Sequence, residues 1–129
     1  MNSSRARLDA AVVVIGGGPA GATAGRLLAE WGLDVVLLAG PRRATPRLAE
    51  SLPPSTRALL DTLHLLDRVD RAGFLRATGN TVWWGAGEPR VERFASNDAS
   101  GWQVPRAAFD TLLLDFAEES GVRVLRETT

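Results

Sequence analysis

Gly16, Gly18 and Gly21, in the stretch VVVIGGGPAGATAG, are spaced G-x-G-x-x-G between an apolar run and a segment of helical composition. That spacing suits a dinucleotide. Gly16 permits a tight turn, Gly18 lets the backbone approach a pyrophosphate, and Gly21 lets a helix pack close to a strand. Pro19 and Ala20 complete the turn, and the helix that follows directs its free N–H groups and its dipole at the phosphates. Gly25, four residues on, is expected on the same helix face as Gly21. A glycine-rich turn in some other α/β fold is the rival reading. The strand before, the helix after and a second strand beyond EWGLD weigh against it.

The next stretch, DVVLLAGPRR, breaks the pattern. A dinucleotide site usually places an acidic residue just after the second apolar run, to hold a ribose. Here that place holds Ala39, followed by Gly40 and then by Arg42 and Arg43. Two ligands compete. FAD bound without that carboxylate would lose a charge-assisted hydrogen bond of about 1.5–3 kcal/mol. NADP(H) would instead use Arg42 and Arg43 as a fork for its 2′-phosphate, where an acid would repel. The plain alternative is that Arg42, Arg43 and Arg47 belong to a solvated loop.

The elements that must position these residues follow from the pattern. Ala11 to Ile15 reads as a strand buried on both faces, and Asp34 to Leu38 as a second. Between them Pro19 to Trp31 reads as a helix stopped by Gly32, with Ala22, Leu27, Leu28 and Trp31 for an inner face. Gly40 to Pro54 holds four prolines and reads as extended loop. Ser55 to Leu66 is a helix that Ser55 or Thr56 can cap. Thr81 to Trp84, Arg90 to Phe94 and Gly101 to Val104 are short strands, the first two joined by GAGEP. Arg106 to Ser120 is an amphipathic helix, with Ala108, Phe109, Leu112, Leu113 and Phe116 apolar and Gly121 as its stop. Val122 to Leu125 reads as a third parallel strand. The fold class is α/β: a Rossmann-like parallel βαβ core with a small inserted β segment, in one domain over 1–129 whose first nine residues are expected to be flexible.

Composition sets the remaining bounds. The chain has 129 residues, 45% hydrophobic and 23% charged, which is ordinary for a globular domain. A formal net charge of zero gives no pull toward nucleic acid or anionic membrane. No cysteine is present, so disulfide and thiol chemistry are excluded, and a cytoplasmic location is expected. No apolar stretch is long enough to span a bilayer. All fifteen basic residues are arginine, which excludes any mechanism that needs a lysine from this chain. His64, the one histidine, is read as packing or surface rather than as a base. Trp83 and Trp84 are expected on opposite sides of a strand. Arg123 is read as a surface residue. No metal-ligand spacing and no Ser–His–Asp set is found.

The motifs GGGPAG, RLLAEWGLDVVLL, PRLAESLPPSTRALL and GWQVPRAAFDTLLLDFAEESGVRV occur in that order. Together they resemble FAD-dependent oxidoreductases of the glutathione-reductase-like superfamily, in the branch of aromatic hydroxylases, geranylgeranyl reductases and flavin-dependent halogenases. The resemblance implies FAD as cofactor and a monooxygenase-like reaction on a small-molecule substrate. It implies that Gly16 to Gly21 cradle the pyrophosphate and that Ala39 stands where a glutamate grips the ribose. It implies that Arg47, Glu50 and Ser51 run near the flavin, and that Arg106 contacts the cofactor from a helix start. Ala49 departs from the glycine that usually precedes the Glu–Ser pair. Halogenases of this branch use a lysine, so a working halogenase is disfavoured. Enzymes of the branch are much longer, so the chain is expected to be an incomplete FAD/NAD(P)-binding domain, inactive alone. Its strand edges are expected to need a partner.

Overall fold

The computed structural model describes residues 9–41, 49–85, 87–94 and 100–127. In chain order the elements are β1 (Val12–Ile15), α1 (Pro19–Glu30), β2 (Val35–Ala39), β3 (Ala49–Leu52), α2 (Thr56–Thr62), α3 (Leu66–Arg71), β4 (Leu75–Ala77), β5 (Gly79–Val82), β6 (Arg90–Arg93), β7 (Gly101–Pro105), α4 (Arg106–Glu119) and β8 (Arg123–Arg126). They fall into two compact units, Met1–Pro46 with Phe109–Thr129, and Arg47–Ala108.

The first unit is a parallel three-stranded sheet in the order β1-β2-β8. Val12 pairs with Val35, and Val36 with Arg123. The central strand β2 has Val35, Val36, Leu37 and Ala39 all buried, as its unbroken apolar run predicts. At the sheet edge β1 differs from expectation. It alternates, leaving Val13 56% and Ile15 85% exposed, because only one of its faces is covered. The inner face of α1 also differs. Of the four residues expected there, only Ala22 is buried, and Trp31 is largely exposed. The helix packs through its smallest residue instead: a Cβ added to Gly25 would sit 3.5 Å from Leu37 and 3.8 Å from Val35 and Val122. This close approach also buries Arg26, whose guanidinium lies 4.5 Å from the Phe116 ring centroid and pairs with Glu30. On α4 the buried stripe is Phe109, Leu113, Leu114 and Ala117, rotated from the expected one.

The second unit carries an antiparallel sheet, β3-β7-β4, and a separate antiparallel hairpin, β5-β6. Its core holds Leu60, Leu65, Val69, Trp102 and Val104. Neither β3 nor β4 was expected. They are short, and β3 lies within the proline-rich stretch read as loop; both exist by pairing with β7. Arg57 and Arg76 stack on Trp102, 5.0 and 4.9 Å from the ring centroid, and Asp70 binds both guanidinium groups. Trp83 and Trp84 follow β5 and do not straddle it; both are exposed.

The single helix expected over Ser55–Leu66 is two helices. His64, exposed and outside both, adopts φ 53°. Its N–H donates to Asp61 O at 2.9 Å, and that of Leu65 donates to Leu60 O at 2.7 Å. This pair of bonds is a Schellman cap, and Leu65, the residue after the left-handed position, is buried. Gly32 after α1 and Gly121 after α4 close their helices by the same two bonds. Ser55 sits at the N-cap of α2 without a side-chain capping bond. Among the described residues no helix is long and apolar enough to cross a membrane.

Candidate functional site

The glycine motif forms the connection between β1 and α1. Gly16 has φ 111°, a conformation that a side chain disfavours, and its N–H donates to Leu38 O at 2.9 Å, tying the turn to β2. Gly21 admits the helix: an added Cβ would fall inside contact distance of the Gly16 carbonyl oxygen. A Cβ on Gly17 would lie 2.7 Å from Ala39 Cβ and 3.4 Å from Leu114 Cδ1. Gly18 is the N-cap of α1, with Pro19 and Ala20 opening the first turn. No side chain caps this helix, and its first turn carries no acid. Its leading N–H groups therefore meet no capping side chain and no acid of the helix's own first turn. This fits the diphosphate of FAD.

Ala39 ends β2 and is buried, with its Cβ against Gly17. Its partner across the strand pair is Arg126 at the end of β8. Arg126 binds Glu118 at 2.6 Å and Asp115 at 3.1 Å. Its pKa is raised, chiefly by the hydrogen bond to Glu118, with burial opposing. Glu118 is thus an ion-pair partner. Arg42, Arg43 and Arg47 lie outside the described residues.

Three further candidates lie at or beside the β3-β7 ladder of the second unit, with Glu50 and Ser51 neighbours on β3 and so directed to opposite faces. Arg106, at the start of α4, donates through Nη1 to Glu50 Oε1. Ser51 stands opposite Gln103, and the Gln103 amide nitrogen donates to Ser51 Oγ. Gln103 was not singled out from the sequence. The alternation in GWQVP, with Trp102 and Val104 both fully buried, is the signal that places it on the open face. Arg123 is more than a surface residue. Its Nη2 lies 2.9 Å from both Asp34 carboxylate oxygens and 2.5 Å from Asp9 O, pinning the start of β8.

Residues 9–129 match the FAD binding domain family, and the chain belongs to it. The flavin-dependent halogenase armH5 of Armillaria mellea is 36% identical over 120 residues, covering 91% of this chain and 23% of that protein. The myxobacterial chondrochloren halogenase CndH, an FAD-dependent halogenase, superposes with a TM-score of 0.77 at 37% identity, covering 89% of this chain and 28% of its own. The p-nitrophenol 4-monooxygenase PnpA of Pseudomonas putida DLL-E4 shares the fold, with a TM-score of 0.72 at 23% identity over 89% of this chain and 31% of its own. The chain thus spans about a quarter of the length of the curated relatives it matches. Its cofactor is FAD.

Proposed function

We propose that the chain is the FAD-binding portion of a flavin-dependent oxidoreductase, built on the scaffold shared with the halogenases and monooxygenase-like in its chemistry. The wider grouping its motifs resemble is the glutathione-reductase-like superfamily. The observation that carries the reading is the uncapped glycine turn at Gly16–Gly21, within a chain that belongs to the FAD-binding family. Halogenase relatives at 36 and 37% identity support the scaffold. These 129 residues hold no lysine, so halogen transfer that needs one would have to draw it from elsewhere.

When bound, FAD supplies the redox chemistry, and the protein supplies binding and orientation. Backbone N–H groups at the start of α1 would hold the diphosphate. Arg106, paired with Glu50, would contact the cofactor from the start of α4, and Arg47, Glu50 and Ser51 would belong to the segment that runs near the flavin. A small-molecule substrate and a cytoplasmic location belong to this reading. The exposed Val13 and Ile15 on β1 support further protein, in the same polypeptide or a partner, covering that strand.

A second reading is an NADP-binding or non-catalytic nucleotide module; the missing acid at Ala39 favours it. Titration of the purified protein with FAD, followed by quenching of flavin fluorescence, separates the two. A yellow protein with saturable quenching is expected. A folded, colourless protein that binds NADPH but not FAD would sink the first reading.

A further inference from the structure

The hairpin β5-β6 is a two-stranded sheet, and among the described residues no strand pairs with the far edge of β6. All four residues of β6, Arg90 to Arg93, are exposed. The register fixes which main-chain groups that edge offers. The N–H of Phe94 donates to Thr78 O at 3.0 Å, so these two residues are a hydrogen-bonded pair of the ladder. Such pairs alternate along antiparallel strands. Asn80 with Glu92 and Val82 with Arg90 are therefore the next ones, and the N–H and C=O of Val91 and Arg93 point away from β5. An open strand edge of this kind is a template for another strand.

The side chains decide which strand. Charges on an edge repel a strand that does not match them. Here they match the strand itself, turned antiparallel. Outward groups must meet outward groups, so a dyad that pairs β6 with a second copy sets one residue of β6 opposite its own counterpart. At Arg90, Glu92 or Arg93 that sets like charges face to face. At Val91 it sets valine against valine, with Arg90 opposite the partner's Glu92 on either side. There the outward N–H and C=O of the two valines also bond reciprocally. Pro89, which has no N–H, falls opposite Arg93 and ends the ladder. We propose that β6 is the interface of a symmetric dimer of this chain, an antiparallel pair of β6 strands centred on Val91. Arg90 and Glu92 pair at 2.5 Å on their own strand, and dimerisation closes the two pairs into a ring of alternating charge. The inference is independent of the FAD reading.

Sedimentation velocity of the purified protein at low salt tests it. So short an edge gives a weak dimer, dissociating on the order of 0.1 mM, so loading runs from about 10 μM to about 1 mM. The wild type should shift from monomer toward dimer across that range. Arg90→Glu makes both charges acidic and Glu92→Arg makes both basic, so each variant should stay monomeric throughout. An equimolar mixture of the two should associate like the wild type, because the acidic edge of one meets the basic edge of the other. The double variant Arg90→Glu/Glu92→Arg keeps the match and should dimerise as well. It carries both substitutions, so its dimerisation shows that neither acts by spoiling the fold. A wild type that is still monomeric at the highest loading would overturn the proposal. So would single variants that dimerise as the wild type does, the result expected if another surface, such as the exposed face of β1, drives association. A mixture that sediments no faster than its components, or a monomeric double variant, would overturn it too.

Discussion

In the first unit the candidate site is main chain, and in the second the candidate residues are side chains that come in pairs. At Gly16–Gly21 what matters is the absence of side chains: an open turn, a helix packed close and N–H groups with no capping rival. On the β3-β7 ladder what matters is which side chain faces which: Glu50 with Arg106, Ser51 with Gln103. The two arrangements should fail differently. A backbone site fails on gaining a methyl group. A paired site fails on losing a partner, and the loss is the size of a hydrogen bond rather than of a clash.

The largest effects are expected in the first unit, where two glycines should separate fold from ligand. Gly21→Ala places a Cβ against the Gly16 carbonyl and should destabilise the protein by about 3 kcal/mol in urea unfolding. Gly18→Val should leave the unfolding midpoint nearly unchanged yet abolish FAD binding, because the branched side chain occupies space the pyrophosphate needs. Unchanged FAD affinity in that variant would show that the cradle has been misplaced.

In the second unit Arg106→Ala should weaken FAD binding by about 1–3 kcal/mol, as for a lost charged hydrogen bond. Arg123 makes a poor control because it holds Asp34 and Asp9. Arg71, exposed on α3 and paired with Asp67 one turn before it, serves instead. Equal losses from Arg71→Ala and Arg106→Ala in the same titration would reduce the effect to generic charge.

Ala39→Glu probes the boundary between the two kinds of site, since it adds a side-chain contact to a backbone cradle. FAD binding should tighten roughly tenfold through a ribose hydrogen bond, while NADPH binding should weaken. Replacing Arg42 and Arg43 by alanine should leave FAD nearly untouched. Calorimetric titration of both nucleotides into these variants decides between the ligands. An NADPH affinity lost in both variants, with no FAD binding in the wild type, reverses the assignment.

The smallest effect is expected at His64. A non-glycine residue at φ 53° bears strain that glycine does not. His64→Gly should raise stability by about 0.5–1 kcal/mol in thermal unfolding and leave FAD affinity unchanged. A fall in either would mean that the imidazole has a role beyond the cap.

The glycine turn, the central strand and both long helices were legible because each rests on local physics. A turn at positive φ selects glycine at Gly16, an unbroken apolar run marks a strand with both faces covered, and Gly32 and Gly121 announce helix ends. The same stop before α3 went unread because the sequence puts histidine there, and only the chain's path through Leu65 into the core forces it left-handed. Strands β3 and β4 have no local signature; pairing with β7 makes them strands, and that pairing alone brings Ser51 to Gln103. Arg26 carries no burial signal in the sequence; Gly25 lets α1 settle so closely on the sheet that its neighbour is buried too. The sequence by itself determined where backbone must be bare and where apolar surface must be covered, since those demands act residue by residue. The tertiary structure decided which side chains meet, since register and helix rotation are set by contacts between segments far apart in the chain.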